Sequence, residues 1–295
     1  MEEVKHYPVL YREILSFFKN IPGKYIVDAT LGGGGHSYLF LKNFPDKTVI
    51  GIDKDPEAIE RASKRLSEFK DRFIPVKASF KDIDSVLDNL QIKEVSGFLF
   101  DLGVSMFQLK TERGFSFQRD EFLDMRMDTS QHLRAYDVVN TYPKPMLEKI
   151  LKEYGEEKFY KKIAQGIVEH RKKKPIRTTK ELADIIYKIY PPPLRRGKIH
   201  PATKTFQAIR IEVNNELEEI KEGINKAISR LEKGGIIAVI SFHSLEDRIV
   251  KNIFRERKKL KELEILTKKP ITPGEEELKE NPPSRSAKLR VAKKI

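Results

Sequence analysis

Short apolar runs alternate with amphipathic stretches along the first hundred residues. The stretches between the runs have helical spacing, and Pro56 behind Asp55 is a typical helix start. Strands that alternate with helices form right-handed crossovers and a parallel sheet. The pattern therefore predicts an α/β domain with an open parallel sheet. Four runs rich in β-branched and aromatic residues predict its buried strands, at 25–30, 48–53, 73–78 and 96–101.

The pattern changes after residue 110. A last buried strand is predicted at 235–242, after an amphipathic helix over roughly 213–233 that ends at the C-cap signal Gly234-Gly235. A helical block that lies between two strands of one sheet indicates an inserted domain. Within 111–204 there is no strongly strand-like run, and three segments have helical spacing: 145–154, 158–172 and 179–190.

The domain organisation follows from that interruption. We expect 1–110 and 205–295 to form one discontinuous sheet domain, and 111–204 to form an inserted all-helical domain. The last part of the chain, 255–295, alternates charge runs with prolines. It is expected to be a loosely packed strand and tail.

Composition narrows the class of protein. The chain has 295 residues and a net charge of +13, and residues 158–204 hold 14 Lys and Arg against 3 Asp and Glu. A surplus of this size suggests an acidic partner such as nucleic acid. The absence of cysteine excludes disulfides, thiolate metal sites and a thiol nucleophile. No secretory signal or membrane-length apolar run is visible, so a cytoplasmic protein without a membrane partner is expected.

The most informative stretch is Asp28-Ala-Thr-Leu-Gly-Gly-Gly-Gly-His36. It follows a predicted strand and precedes a predicted helix. Glycine at such a turn lets the backbone approach a ligand, and the helix start presents free N–H groups. Ligands of open parallel sheets bind beyond the carboxyl ends of the strands. A glycine turn that only packs the helix onto the strand is the alternative.

The acid at the end of the second strand bears on the kind of ligand. Asp53 is placed to accept hydrogen bonds from a ribose diol, as in proteins that bind nicotinamide dinucleotides or S-adenosylmethionine. The dinucleotide spacing G-x-G-x-x-G fails, because its last position falls on Ser37 or Tyr38. A methyltransferase-like series of an acid followed by glycines fits better. Asp28 would then receive the ammonium of the methionine moiety, unless it is a turn or helix-capping aspartate.

Asp101 ends the fourth strand, at the position that faces the reacting end of such a cofactor. A carboxylate there can accept a hydrogen bond from an amine as methyl transfer begins, although a solvated strand-end aspartate is the alternative. Methylation of carbon-5 of a pyrimidine is normally assisted by a thiolate, and the chain has none. A base nitrogen or a ribose oxygen is therefore favoured as the methyl acceptor.

Other polar segments carry weaker signals. His243 follows the last predicted strand and could orient substrate, unless Ser244 caps the next helix with Asp247 as its partner. The segment 200–210 suits an edge that contacts RNA backbone. The run 171–174 is either a solvated face or a phosphate contact. Three histidines have no metal-ligand spacing, so no metal site is expected: His6, His132 and His170.

Ten blocks of sequence in a fixed order resemble the bacterial small-subunit ribosomal RNA methyltransferase H family. The resemblance implies a Rossmann-like class I S-adenosylmethionine-dependent methyltransferase with an inserted helical domain. It also implies methylation of N4 of a flipped cytosine in the decoding region of 16S ribosomal RNA, within an assembled or assembling small subunit. A homodimer is left open. The blocks are 6–10, 28–37, 51–56, 101–105, 113–117, 123–128, 154–157, 200–217, 241–251 and 284–290.

The resemblance also implies site residues. Phe80 would lie near the adenine and stack on it, with core packing as the alternative. The candidate catalytic residues are Asp101, Ser105 and His243, and Asp28 is a candidate cofactor residue because of its place before the glycine turn. The residues that the resemblance assigns to the cofactor are Gly34, Gly35, His36, Asp53, Phe80, Asp101 and Gln108.

Two departures from the family pattern bear on these expectations. Met106-Phe107 precede Gln108 where the family usually has Ser-Pro, and losing the proline is expected to loosen this loop. Asn281-Pro282-Pro283 replaces Asn-Pro-Arg, which removes one phosphate contact.

Two rival functions remain. The glycine spacing speaks against a nicotinamide oxidoreductase, and the acid–glycine–acid series would be surplus in a non-catalytic RNA-binding factor.

Overall fold

The computed structural model describes residues 7–295 and divides into two compact units. The first unit runs up to Gly103 and resumes over Leu217–Ile295, and the second unit is Val104–Glu216. The helical unit thus begins 7 residues before the predicted insert (104 against 111) and ends 12 residues after it (216 against 204). It ends later because the helix over 203–214 contributes Phe206, Ile209 and Val213 to the core of the second unit.

Seven strands and thirteen α-helices lie within residues 7–295. The strands are β1 Tyr25–Asp28, β2 Thr48–Asp53, β3 Phe73–Lys77, β4 Val95–Asp101, β5 Leu231–Ser241, β6 Leu263–Ile265 and β7 Lys288–Lys294. The helices are α1 Tyr11–Phe18, α2 Gly35–Asn43, α3 Pro56–Arg65, α4 Ile83–Asn89, α5 Met106–Lys110, α6 Ala135–Thr141, α7 Lys144–Glu153, α8 Tyr160–Lys173, α9 Thr179–Ile189, α10 Thr203–Asn214, α11 Glu216–Arg230, α12 Ser244–Lys259 and α13 Glu275–Glu280. All seven strands belong to the first unit, and α5 to α10 belong to the second.

The strands form one sheet in the order β3-β2-β1-β4-β5-β7-β6. β1 to β5 pair in parallel, as predicted, and β7 pairs antiparallel with both β5 and β6. The strand order reverses between β1 and β4, because the chain runs outward through β2 and β3 before it returns to β4. Ligands of such sheets bind at that reversal, beyond the carboxyl ends of the strands. The predicted Rossmann-like α/β fold is confirmed.

Helices cover both faces of the sheet. Along β4, Phe98 and Phe100 belong to the apolar cluster with α4, α11 and α12, whereas Leu99 belongs to the cluster with α1, α2 and α3. All three side chains are fully buried. Successive residues of a strand face opposite sides, so a strand that is buried on both sides shows a continuous apolar run. This is why β1, β2, β4 and the second half of β5 stand out in the sequence, whereas the edge strand β3 buries only Phe73.

The helix predicted over roughly 213–233 is confirmed as α11, Glu216–Arg230, which Asn215 with a φ of 48° separates from α10. Two other expectations about the later part of the chain are wrong. Gly234 does not end α11, because its φ of 83° lies within β5, where the pairing with β4 shifts register. The tail is not loosely packed, because β7 pairs with β5 along its length and buries Leu289 and Val291 completely.

The second unit is helical apart from an isolated bridge between Phe122 and Thr178. The helices α7, α8 and α9 lie within two residues of the three predicted segments. α9 starts with a capping box, in which Thr178 Oγ1 accepts from Glu181 N and the Glu181 carboxylate accepts from Thr178 N. In the described part of the chain, no helix has the length and apolar character needed to cross a membrane.

Candidate active site

The glycine turn leaves β1 and enters α2 with two glycines in the left-handed region. Gly32 has a φ of 51° and Gly34 a φ of 75°. A side chain at Gly34 would lie 3.2 Å from Ala62 Cβ on α3, so this glycine also allows close helix packing. Gly34 therefore has a packing role against α3, and its cofactor role stays a prediction. The turn nevertheless ends at the start of α2, where the first backbone N–H groups have no partner inside the helix.

Asp28 holds the turn in shape. Its side chain is 1% exposed, its Oδ2 accepts from Ser37 Oγ at 2.6 Å, and its Oδ1 accepts from Thr30 N at 3.3 Å. Burial raises the pKa of Asp28 to about 6, against the lowering effect of these hydrogen bonds. The contacts are those of the turn aspartate that was kept as the alternative to an ammonium ligand.

Asp53 joins the end of β2 to the same turn. Its Oδ2 accepts from Gly32 N at 2.8 Å and its Oδ1 accepts from Asp55 N at 2.9 Å. Burial raises the pKa of Asp53. Unlike Asp28, the residue is only half-buried, and each carboxylate oxygen has a second lone pair for another donor. Asp53 can therefore accept hydrogen bonds from a ligand without releasing the turn.

Asp101 lies at the end of β4, next to the turn. Its backbone N donates to Thr30 Oγ1 at 2.6 Å, and its side chain keeps 27% of its surface exposed. Burial, together with repulsion from the carboxylates of Asp28 and Glu246, raises the pKa of Asp101 to about 8. Neither Asp28 nor Asp101 has a Lys or Arg within ion-pair distance among residues 7–295. Within this part of the chain, no Lys or Arg thus balances the charges of these two carboxylates.

His36 does not supply that cation. Its side chain is 7% exposed, and its Nε2 lies 2.9 Å from the Val9 carbonyl oxygen. Burial lowers the pKa of His36 to about 4, so the ring is neutral at pH 7. A neutral ring that donates from Nε2 carries no proton on Nδ1, which lies 3.8 Å from Asp101 Oδ2. The His36 ring therefore turns an unprotonated nitrogen towards Asp101 and does not neutralise the charge of its carboxylate.

His243 follows β5 and caps α12. Its Nδ1 accepts from Glu246 N at 3.4 Å, and the fully buried Glu246 accepts from Phe242 N at 2.8 Å. The capping box is therefore His243 with Glu246, and the predicted pair of Ser244 and Asp247 is wrong. Asp247 instead accepts from Arg290 of β7 at 2.7 and 3.0 Å. His243 is therefore the N-cap of α12, and its partner Glu246 lies close enough to Asp101 to repel it.

The whole chain matches one known family. The sequence model of the MraW methylase family covers residues 3–295. This chain belongs to the MraW methylase family. The resemblance inferred from the ten blocks is thereby confirmed.

Relatives in this family are similar from end to end. A Persephonella marina protein named Ribosomal RNA small subunit methyltransferase H is 74% identical over 99% of this chain and 100% of its own. Proteins of the same name from Sulfurihydrogenibium sp. and Caldicellulosiruptor bescii are 67% and 50% identical, each over 99% of this chain. A solved rRNA methylase of Streptococcus thermophilus aligns with a TM-score of 0.47 and 11% identity, over 96% of this chain and 95% of that one.

In this MraW-family chain, Ser105 and Gln108 lie in the second unit. Ser105 Oγ accepts from Gln108 N at 3.1 Å, and Gln108 Oε1 accepts from Ser105 N at 3.0 Å. This capping box begins α5, whose first residues are Met106 and Phe107. The cap places Gln108 in the first turn of α5, and the expected loosening of the loop stays a prediction. The predicted catalytic role of Ser105 and cofactor role of Gln108 stay predictions.

Phe80 follows β3 and packs into the first unit. Its ring lies edge-on to Phe100 with a centroid distance of 5.5 Å. A side chain at Gly223 of α11 would lie 2.6 Å from Phe80 Cδ2, so the ring also rests on this helix. These are the contacts of the core-packing alternative. The ring is half-buried, and its adenine role stays a prediction.

Sequence reasoning missed two residues that shape the site. Thr30 receives the Asp101 backbone N–H, and Glu246 adds its charge near Asp101. The signal for Glu246 was its spacing of three residues after His243, which is a capping-box spacing. Of the histidines set aside, His6 lies outside the described residues, and two are exposed: His132 and His170.

Proposed function

We propose that this chain transfers a methyl group from S-adenosylmethionine to N4 of a cytosine in the decoding region of small-subunit (16S) ribosomal RNA. The relatives that match it from end to end carry the name of a small-subunit ribosomal RNA methyltransferase. The observation that carries the chemistry is the carboxylate cluster at the ends of β1, β2 and β4, around the glycine turn. Ribosomal RNA as substrate also makes the cytoplasm the expected compartment.

The cluster fits a cationic nucleoside. Asp28 and Asp101 are both pushed towards their neutral forms by burial and by the charges of other carboxylates. A positive ligand at this place removes that repulsion and lowers the pKa of Asp101, because an opposite charge nearby favours the ionised form. Asp53 would hold the ribose hydroxyls, and the first N–H groups of α2 would hold the methionine carboxylate. When bound, S-adenosylmethionine supplies a methyl carbon activated by a positive sulfur.

Asp101 is the residue we assign to the acceptor amine. In its ionised form the carboxylate accepts a hydrogen bond from the cytosine N4–H, which increases the availability of the nitrogen lone pair. Once N4 carries the methyl group, it must lose one proton, and the Asp101 carboxylate takes that proton. The neutral His36 ring, fixed by Val9, keeps a second acceptor atom on the same side.

The acceptor must be reached without a covalent enzyme–base adduct, because the chain contains no cysteine. An exocyclic amine needs no such adduct, whereas carbon-5 of a pyrimidine does. The target cytosine must leave its stack to bring N4 to the carboxylate, which costs a few kcal/mol and is easiest for an unpaired base. The basic segment 158–204 supplies contacts to phosphates of the same RNA.

Methyl transfer to small subunits tests this function. Subunits are purified from a strain that lacks the enzyme and are incubated with the protein and isotopically labelled S-adenosylmethionine. Mass mapping of the ribosomal RNA is expected to place the label on N4 of a single cytosine in the decoding region. Label on carbon-5, on a ribose or only on protein would contradict the proposal.

A further inference from the structure

In the second unit, aromatic rings lead from the core to the surface. Phe206 is buried, and Phe117 meets it edge-on with a centroid distance of 4.9 Å. The His200 ring lies 4.6 Å from that of Phe117, and the Tyr187 ring lies 6.0 Å from that of His200 at an interplanar angle of 22°. We call Phe117, His200 and Tyr187 the ring ladder.

Hydrogen bonds hold His200 of the ring ladder and Arg195 beside it, and Tyr187 lies between contacts with these two residues. His200 Nδ1 accepts from Ala202 N at 3.1 Å, which orients the imidazole. Arg195 lies 5.2 Å from the centre of the Tyr187 ring, a cation–π distance. Its Nε donates to the Tyr190 carbonyl at 2.8 Å and its Nη2 to the Lys188 carbonyl at 2.9 Å. The planar groups are therefore ordered before any partner arrives.

The ring ladder ends in an exposed patch that is apolar and basic. Tyr187 is 38% exposed and Ile199 is 63% exposed. Arg196 and Lys198 are exposed too, and neither forms a hydrogen bond or an ion pair with any other residue of 7–295. Residues 185–204 contain five Lys and Arg and no Asp or Glu. No protein anion of this segment competes for the cations.

We propose that the ring ladder and Arg195 form a stacking site for an unpaired nucleotide of the ribosomal RNA, with Arg196 and Lys198 on its flanking phosphates. The inference rests on the proposed function, which makes RNA the substrate. Unpaired bases are recognised by stacking on aromatic rings and on arginine planes, and their phosphates by exposed cations. An acidic protein surface would match the charge but not the ordered planar groups, so RNA is the better occupant.

Affinity and its salt dependence test the site. The dissociation constants of the full chain are measured for unmethylated small subunits and for protein-free 16S RNA at several salt concentrations. Tyr187→Ala is expected to weaken binding by about 5- to 150-fold without changing the salt slope, because stacking releases no counterions. Tyr187→Phe keeps the ring and is expected to bind like the wild type. Arg196→Ala is expected to reduce the slope by about 1.

Phe122→Ala is the matched control. Phe122 is 42% exposed in the same unit, with the Arg134 guanidinium 5.7 Å from its ring, and it lies outside the ring ladder. Equal affinities of Tyr187→Ala, Phe122→Ala and the wild type would overturn the stacking site. A loss for Tyr187→Ala with particles but not with protein-free RNA would assign the ring ladder to a ribosomal protein and would also overturn it. If the wild type transfers methyl groups but Tyr187→Ala binds RNA as tightly as the wild type, only this inference is contradicted. If the wild type transfers no methyl group, the proposed function is contradicted.

Discussion

The two units of the chain hold their charges in opposite ways. In the first unit, Asp28 and Asp101 lie at the ends of β1 and β4, where burial raises their pKa values. In the second unit, Arg196 and Lys198 stay exposed beside ordered rings. Buried charge discriminates strongly by the sign of a small ligand, because solvent does not screen it. Exposed cations attract a long polyanion, but weakly at each contact. We therefore expect pH to control ligand binding and methyl transfer at the carboxylates of the first unit. Salt concentration is expected to control RNA binding by the second unit.

The largest expected effect is on turnover. Asp101→Asn keeps the shape of the side chain but removes the proton acceptor, and it is expected to lower the rate of methyl transfer by about 10²- to 10⁴-fold. Single-turnover transfer to saturating small subunits, at saturating S-adenosylmethionine, measures this. A transfer rate equal to that of the wild type would remove Asp101 from the mechanism.

A second prediction concerns the stability of the glycine turn. Ser37 is fully buried and donates to Asp28 at 2.6 Å. Ser37→Ala leaves a buried carboxylate without this donor, which is expected to lower the free energy of unfolding by about 1–3 kcal/mol. Urea denaturation measures it. The control is Ser67→Ala, since Ser67 is exposed, and equal midpoints for the two variants would show that the turn does not depend on this bond.

The smallest effect is expected in the run 171–174. Arg171 donates to the carbonyls of Val139 and Tyr142 at 2.8 and 2.7 Å, whereas Lys172 and Lys173 are exposed. Replacing both lysines with alanine is expected to leave the melting temperature unchanged and to reduce the salt slope of RNA binding by up to about 2. Arg171→Ala is expected to lower the melting temperature instead. Unchanged RNA binding of the double variant at all salt concentrations would make the lysines a solvated face.

The sequence predicts the parallel half of the sheet better than the antiparallel half. β4 is buried on both faces, and its residues 97–100 appear as an unbroken apolar run. In β7, Lys288, Arg290 and Lys293 interrupt the apolar positions, and Arg290 is accommodated only because Asp247 accepts from it. That partner lies 43 residues away, so no local pattern reveals it. The end of α11 was missed for a similar reason, since Gly234 serves a strand irregularity and not a helix end.

The candidate site shows the same division. The positions of Asp53 and Asp101 follow from the strand pattern, because each ends a predicted strand, whereas the first strand was predicted to continue two residues past Asp28, which ends β1. Their roles depend on contacts from distant segments that spacing cannot supply, such as the Thr30 hydroxyl on the Asp101 backbone and the Val9 carbonyl on His36. Only the fold shows that Asp28 holds the glycine turn while Asp101 keeps part of its side chain exposed.

Proton release on cofactor binding tests the central claim most directly. Without ligand the pKa of Asp101 is about 8, so the carboxyl is mostly protonated at pH 7, and a bound cation must drive that proton off. Titration calorimetry of S-adenosylmethionine at pH 7, in buffers of different ionisation enthalpy, is expected to show release of about 0.5 to 1 proton by the wild type. Asp101→Asn is expected to bind without that release. Equal proton release by the two proteins, or none by the wild type, would contradict the claim that the carboxylate cluster at the strand ends is built to receive a positive charge.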